Sequence, residues 1–171
     1  VKILMRAKEL AEKGVELYSS NAFRFFLYNK INKANFDDKV LDTFSKLDDY
    51  DILSAIKEWT NHSDKILSDL SRMLINRDLF KIEIQDKKIS EEQELNRTIQ
   101  FMADSGLFEK DASYFVFIGS ITNQAYNSKQ PIKILTKKGN LKDIAKASDQ
   151  LNLQALSKPV TKHFICFPKK K

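Results

Sequence analysis

A single change of period constrains this chain more than any other feature. As far as Asn76 the apolar residues return every three or four positions, the spacing that lines one face of a helix. From Leu79 they alternate with charged residues, as in a strand with one buried face. Ile3, Ala7, Leu10, Ala11 and Val15 form the first stripe, Phe23, Phe26, Leu27 and Ile31 a second, and Val40, Leu41 and Phe44 a short third. Asp48 is placed to cap a helix carrying Ile52, Leu53, Ile56 and Trp59, with Asp49 and Asp51 suited to the positive end of its dipole. Ser63 is the expected cap of the next helix, whose inward residues are Ile66, Leu67, Leu70, Met73 and Leu74. Residues 1–76 therefore read as a helical segment and 77–171 as a second domain.

In the second part, Phe80, Ile82 and Ile84 alternate with Lys81 and Glu83 and are expected to face a core. Ser90 with Gln93 makes a capping box for a helix bearing Leu95, Ile99, Met102 and Ala103, which Gly106 can end. Tyr114–Gly119 and Pro131–Thr136 read as strands, Lys138-Gly139-Asn140 as a turn, Leu141, Ile144 and Ala145 as a short helix, and Lys162–Phe167 as a closing strand. That order is the βαββαβ of a small ferredoxin-like domain. The fold class is α+β, with a mainly antiparallel sheet and helices on one face.

Hydrophobic residues make up 42% and Gly and Pro total seven, so the chain can build a core and is neither collagen-like nor disordered. Its apolar runs fall short of the roughly 18 residues of a membrane span, and no signal-peptide layout is visible, so a cytoplasmic protein with no membrane partner is expected. It opens on Val1 rather than Met and is expected to be a piece of something longer. The net charge is +6, yet residues 1–85 carry 14 basic and 14 acidic side chains. The whole excess lies beyond them, half of it in Lys169, Lys170 and Lys171, which reads as a solvated tail and not a nucleic-acid surface.

Catalytic signatures are missing. His62 and His163 are the two histidines, too few for a multi-histidine metal site in one subunit. His62 lies in an interhelical link and His163 in the last strand, and Cys166, the single cysteine, reads as a buried strand position. Asp48, Asp49 and Asp51 are explained by helix-start chemistry. The remaining constellation is Asn76-Arg77-Asp78-Leu79-Phe80-Lys81, where a planar fork and a point charge stand at the change of period. By composition it reads first as a solvated helix terminus, with a phosphate contact as the alternative. Phe23, Phe25, Phe26, Leu27 and Tyr28 exceed what one small helix needs for a core, which points to self-association or to cover by another domain.

Several stretches together resemble one family: Arg6-Ala7-Lys8-Glu9-Leu10, Phe25-Phe26-Leu27, Leu47-Asp48-Asp49-Tyr50-Asp51-Ile52-Leu53, then Leu67–Leu74, then Asn76-Arg77-Asp78-Leu79-Phe80-Lys81, Tyr114-Phe115-Val116-Phe117, Pro131-Ile132 and Lys162-His163-Phe164-Ile165-Cys166-Phe167-Pro168. In order, and over essentially the whole chain, they are similar to the region following the catalytic core of bacterial HD-superfamily phosphohydrolases of the deoxynucleotide triphosphohydrolase-like group. The family's signature of a His, an adjacent His-Asp pair and a distant Asp, which binds a divalent metal that activates water, is absent here, and no His-Asp dipeptide occurs.

The resemblance implies a C-terminal regulatory and oligomerisation region, inactive alone. The parent enzyme would hydrolyse dNTPs to deoxynucleoside and triphosphate with a divalent metal held in its catalytic domain. It implies that Arg77 and Lys81 contact the phosphates of a regulatory nucleotide, with Lys137 or Lys138 a weaker candidate. The partners implied are the chain's own HD catalytic domain and further copies of itself. The alternative is a non-catalytic scaffold or interaction domain without nucleotide binding.

Overall fold

The computed structural model describes residues 1–123, 132–144 and 160–169. They form an α+β protein in two compact units, Val1–Phe80 and Lys81–Pro168. The first holds helices α1 (Lys2–Glu12), α2 (Asn21–Tyr28), α3 (Asp38–Ser45), α4 (Asp49–Trp59) and α5 (Lys65–Ile75). The second holds β1 (Lys81–Gln85), α6 (Glu91–Ser105), α7 (Glu109–Ala112), β2 (Phe117–Asn123), β3 (Lys133–Leu135), β4 (Leu141–Asp143) and β5 (Val160–Phe167).

Side chains mark where the helices begin. Ser20 accepts from Phe23 N–H, Asp37 from Val40 N–H, and Asp48 and Asp51 close a capping box over the first turn of α4. The cap of α5 is Asp64, not Ser63: its carboxylate accepts from Leu67 N–H while Arg6 of α1 grips both oxygens at 3.0 and 2.6 Å. A carboxylate already oriented by a guanidinium is the better acceptor for that first turn. The core of the unit gathers Ala7, Leu10, Leu17, Phe23, Leu27, Ile56, Trp59 and Leu67. Trp59 is buried with its indole N–H donated to Tyr18 O at 3.0 Å. The aromatic run of α2 is shared out. Phe23 and Leu27 enter the core, while half-buried Phe25 and Phe26 meet edge to face and Phe26 also meets exposed Phe44.

In the second unit α6 starts at the Ser90–Gln93 capping box and stops at Gly106, whose φ of 68° is the left-handed conformation open to glycine. β5 is the central strand, antiparallel to both β1 and β2, and β3 and β4 form a separate two-stranded ladder around the turn at Gly139. The described strands thus make two ladders. Leu141, expected in a helix, begins β4 and pairs with Leu135 of β3, and Ala145 and Pro131 lie outside the described residues. Tyr114, Phe115 and Val116, expected in a strand, are buried in the turn that continues α7, where Phe115 and Val116 N–H both donate to Ala112 O. The strand begins at Phe117.

The two faces of the sheet are the reverse of what the alternation predicts. Register puts Lys81, Glu83, Ile118, Ile165 and Phe167 on one side, and α6 packs there on β5. Ile82 and Ile84, expected inward, lie on the other side and are exposed. On α6, likewise, Leu95 and Ile99 are exposed, while Thr98 is buried and Phe101 packs beside Phe115 at 5.2 Å. The α6 side is the covered one because Ile89, Val116 and Ile165 cluster there with Phe101, Ile118 and Phe167 against them, and the stem of Arg97 adds to that cover, lying over the Phe167 ring and holding Glu83.

Candidate functional site

Arg77 belongs to the first unit and terminates α5. Its N–H donates to Leu74 O and the next N–H, of Asp78, to Met73 O at 2.8 Å, the paired bonds of a Schellman motif. The residue that turns the chain in this motif is left-handed and usually glycine. Here it is Arg77 at φ 58°, the one described non-glycine residue with positive φ. A side chain in that conformation costs about 1–2 kcal/mol. The guanidinium is exposed and makes no ion pair among the described residues.

Lys81 belongs to the second unit, as the first residue of β1. The ammonium lies 3.0 Å from Glu83 and 5.6 Å from the centre of the Phe167 ring. It therefore shares the α6 side of the sheet, and is not turned away from a buried apolar face. Arg97 reaches both oxygens of Glu83 at 3.2 Å and stacks on the same ring at 4.4 Å. The hydrogen bond from Lys81, with the charge of Arg97 behind it, holds the Glu83 carboxyl below the usual carboxylate range. Two cations thus share one carboxylate and one aromatic ring. Lys81 can leave Glu83 for an incoming anion while Arg97 keeps that carboxylate compensated. Beside them Glu83, Gln93, Asn96, Arg97, Gln100 and Ile165 line an open groove of about 340 Å³. Sequence reasoning does not reach Arg97 or Phe167 as site residues. It could have reached Glu83, which two positions after Lys81 must share its face.

The remaining candidates have structural roles. Asp48 and Asp51 cap α4, and a hydrogen bond from Ser20, followed by one from the Asp48 backbone, lowers the pKa of Asp51. His62 Nδ1 accepts from Asp64 N–H at 2.9 Å. Burial works against ionisation at Asp64, but the fork of Arg6 and the Leu67 N–H outweigh it and hold its carboxyl low. Ring nitrogen and carboxylate are thus already engaged. Among the described residues no group of three His, Cys, Asp or Glu side chains is placed to hold a metal ion. His163 pairs with Gln85 and Ser120 in the sheet, and Cys166 is half-buried, its thiol pushed up by burial. Lys137 and Lys138 stand exposed beside the β3–β4 turn. No described helix is long and apolar enough to cross a membrane.

No protein-family model matches the chain. It is 29% identical over 181 residues to the uncharacterized protein YwfO of Bacillus subtilis (strain 168), covering 98% of this chain and 38% of that protein. Its fold is similar to the crystal structure of a phosphohydrolase from Bacteroides thetaiotaomicron VPI-5482, with a TM-score of 0.83 and 44% identity over 98% of this chain and 42% of that one. The chain spans about two fifths of the length of the proteins it matches.

Proposed function

We propose that this chain is the C-terminal regulatory and oligomerisation region of a cytoplasmic, metal-dependent HD-superfamily phosphohydrolase, whose parent converts dNTPs to deoxynucleoside and triphosphate. The observation that carries the reading is the likeness to a phosphohydrolase, which runs through 98% of this chain while taking in less than half of that protein. The donors of an HD metal centre do not fit here. Nδ1 of His62 and both carboxylate oxygens of Asp64 are engaged, and the divalent metal, which would activate water against the phosphate ester, is assigned to the catalytic portion outside these residues.

Arg77 and Lys81 are the proposed contacts to the phosphates of a regulatory nucleotide in the parent, each argued on its own. For Arg77 the support is backbone strain. An arginine stands where glycine would relax the chain, and strain of this kind gathers at functional positions. For Lys81 it is the shared carboxylate that lets the ammonium exchange partners.

The test is to express the parent with Mn²⁺ or Mg²⁺ and measure triphosphate release from dNTPs with and without a second nucleotide, for wild type, Arg77→Ala and Lys81→Ala. The proposal expects release by the wild type, and activation and assembly weakened tenfold or more in each variant. Variants that fold normally and respond like wild type refute the contact assignment. A wild type that releases no triphosphate refutes the parentage.

A further inference from the structure

One face of the three-stranded sheet is apolar, and among the described residues its isoleucines are exposed. Register brings Ile82 and Ile84 of β1, Phe117 and Ile121 of β2, and Phe164 and Cys166 of β5 onto it. Ile82, Ile84 and Ile121 are 47%, 56% and 54% exposed. The ring of Phe164 lies across Gly119, where a Cβ would run into it, so the middle of this face is filled by an aromatic ring. Lys162, at the same face's end, is paired with Asp86.

We propose that this face is the docking surface for the part of the same polypeptide that lies outside these 171 residues, namely the catalytic portion of the parent. The inference rests on the reading above that the chain is one region of a longer phosphohydrolase, and three observations argue for this occupant. The first is the pattern of the central strand, where Phe164-Ile165-Cys166-Phe167 is apolar without a break. Strands buried on both faces are written that way, whereas strands with one wet face alternate. The second is area. At about 4.8 Å between strands and about 3.4 Å per residue the face offers roughly 330 Å². A stable association of separate molecules buries about 800 Å² on each partner. Roughly twice 330 Å² falls instead within the roughly 600–1,500 Å² typical between domains of one chain. The third is length: the proteins this chain matches carry more than half of theirs beyond the matched region.

Labelling tests the proposal without relying on stability. Ile121→Cys and, as an exposed control on α7, Lys110→Cys are made in the parent and in the 171-residue chain. Each is treated with a maleimide, and the rate is read at that peptide by mass spectrometry so that native cysteines do not interfere. In the parent, Ile121→Cys is expected to label at least about tenfold more slowly than the control, and in the 171-residue chain at the control's rate. Equal rates in the parent overturn the proposal. So does protection already present in the 171-residue chain, and so does protection in the parent that vanishes on dilution, which identifies a second copy as the occupant. Triphosphate release by the same parent reports separately on the reading beneath it. An active parent in which the Ile121→Cys thiol labels as fast as the control removes the docking surface alone. A protected thiol at that position in a parent without phosphohydrolase activity keeps the docking surface and removes the reading.

Discussion

Lys8 ties two helices of the first unit together, and neutralising it should cost a calculable amount. Its ammonium, on α1, donates to Phe26 O at 3.1 Å, Leu27 O at 2.9 Å and Asn29 O at 2.8 Å, so all three of its hydrogens are used at the C-terminus of α2. Two of those carbonyls are among the ones α2 leaves without an intrahelical partner, and the negative end of its dipole adds to the attraction. Lys8→Met keeps the unbranched stem and removes the donors. A hydrogen bond from a charged donor is worth about 1.5–3 kcal/mol. Three that converge on one partly exposed group do not add, because the freed carbonyls recover water on their open side, and the expected loss is about 2–3 kcal/mol. Trp59, the single tryptophan, is buried in the core of the same unit and reports its unfolding by fluorescence in a urea titration. Lys8→Arg should fall between the two, since a planar fork cannot aim three donors at one point. A Lys8→Met chain within about 0.5 kcal/mol of wild type would refute the reasoning, because it would show the three bonds merely replacing equivalent ones to water.

Arg77→Gly should raise stability by about 1 kcal/mol in the same titration by relieving the left-handed turn, and abolish nucleotide activation in the parent; a destabilised variant would contradict the strain argument. Ser71 is fully buried in α5 with no hydrogen-bond partner for its hydroxyl among the described residues, so Ser71→Ala should stabilise by about 0.5–1.5 kcal/mol through better helix propensity and no desolvated hydroxyl, and a loss measured by calorimetry would show that the hydroxyl is bonded. Asp64 has a folded pKa below its ordinary 3.8, so its contribution is complete above that value and disappears as pH falls through the folded one. Urea midpoints of wild type should therefore drop further between about pH 5 and about pH 2.5 than those of Asp64→Asn, and parallel pH profiles would exclude the Arg6–Asp64 pair as the source.

What the sequence made legible was local chemistry. Ser90 with Gln93, Gly106, Asp48 with Asp51 and Gly139 each announce a start, a stop or a turn, because the residue type itself solves the backbone problem at that position. The misses share a different cause. Alternation along β1 shows that the two faces differ but not which one another element covers, and over Phe167 and Glu83 part of the cover comes from Arg97, a charged side chain that no hydrophobic pattern counts. An apolar run such as Tyr114–Val116 suits a buried turn as well as a strand. Of the candidate site, the chemical types of Arg77 and Lys81 were visible. The left-handed backbone of Arg77 was not, since nothing in its neighbours signals a position where glycine is the usual choice.

The order of strands has a consequence for synthesis on the ribosome. Among the described strands β1 and β2 do not pair with each other; each pairs with β5, so that Lys81 waits for Phe167 and Phe117 for Cys166. While the chain emerges from its N-terminus the helices of the first unit can close on nearby partners, but both outer strands leave the tunnel with their amides and carbonyls unpaired. The sheet then zips from the middle once its last strand is out, after a loop closure whose entropy makes such long-range pairing slow. Until that moment two isoleucine-bearing strands are open to neighbouring nascent chains. A transcript truncated before Val160 would keep them in that state, so a nonsense mutation there should yield inclusion bodies instead of a shorter soluble protein.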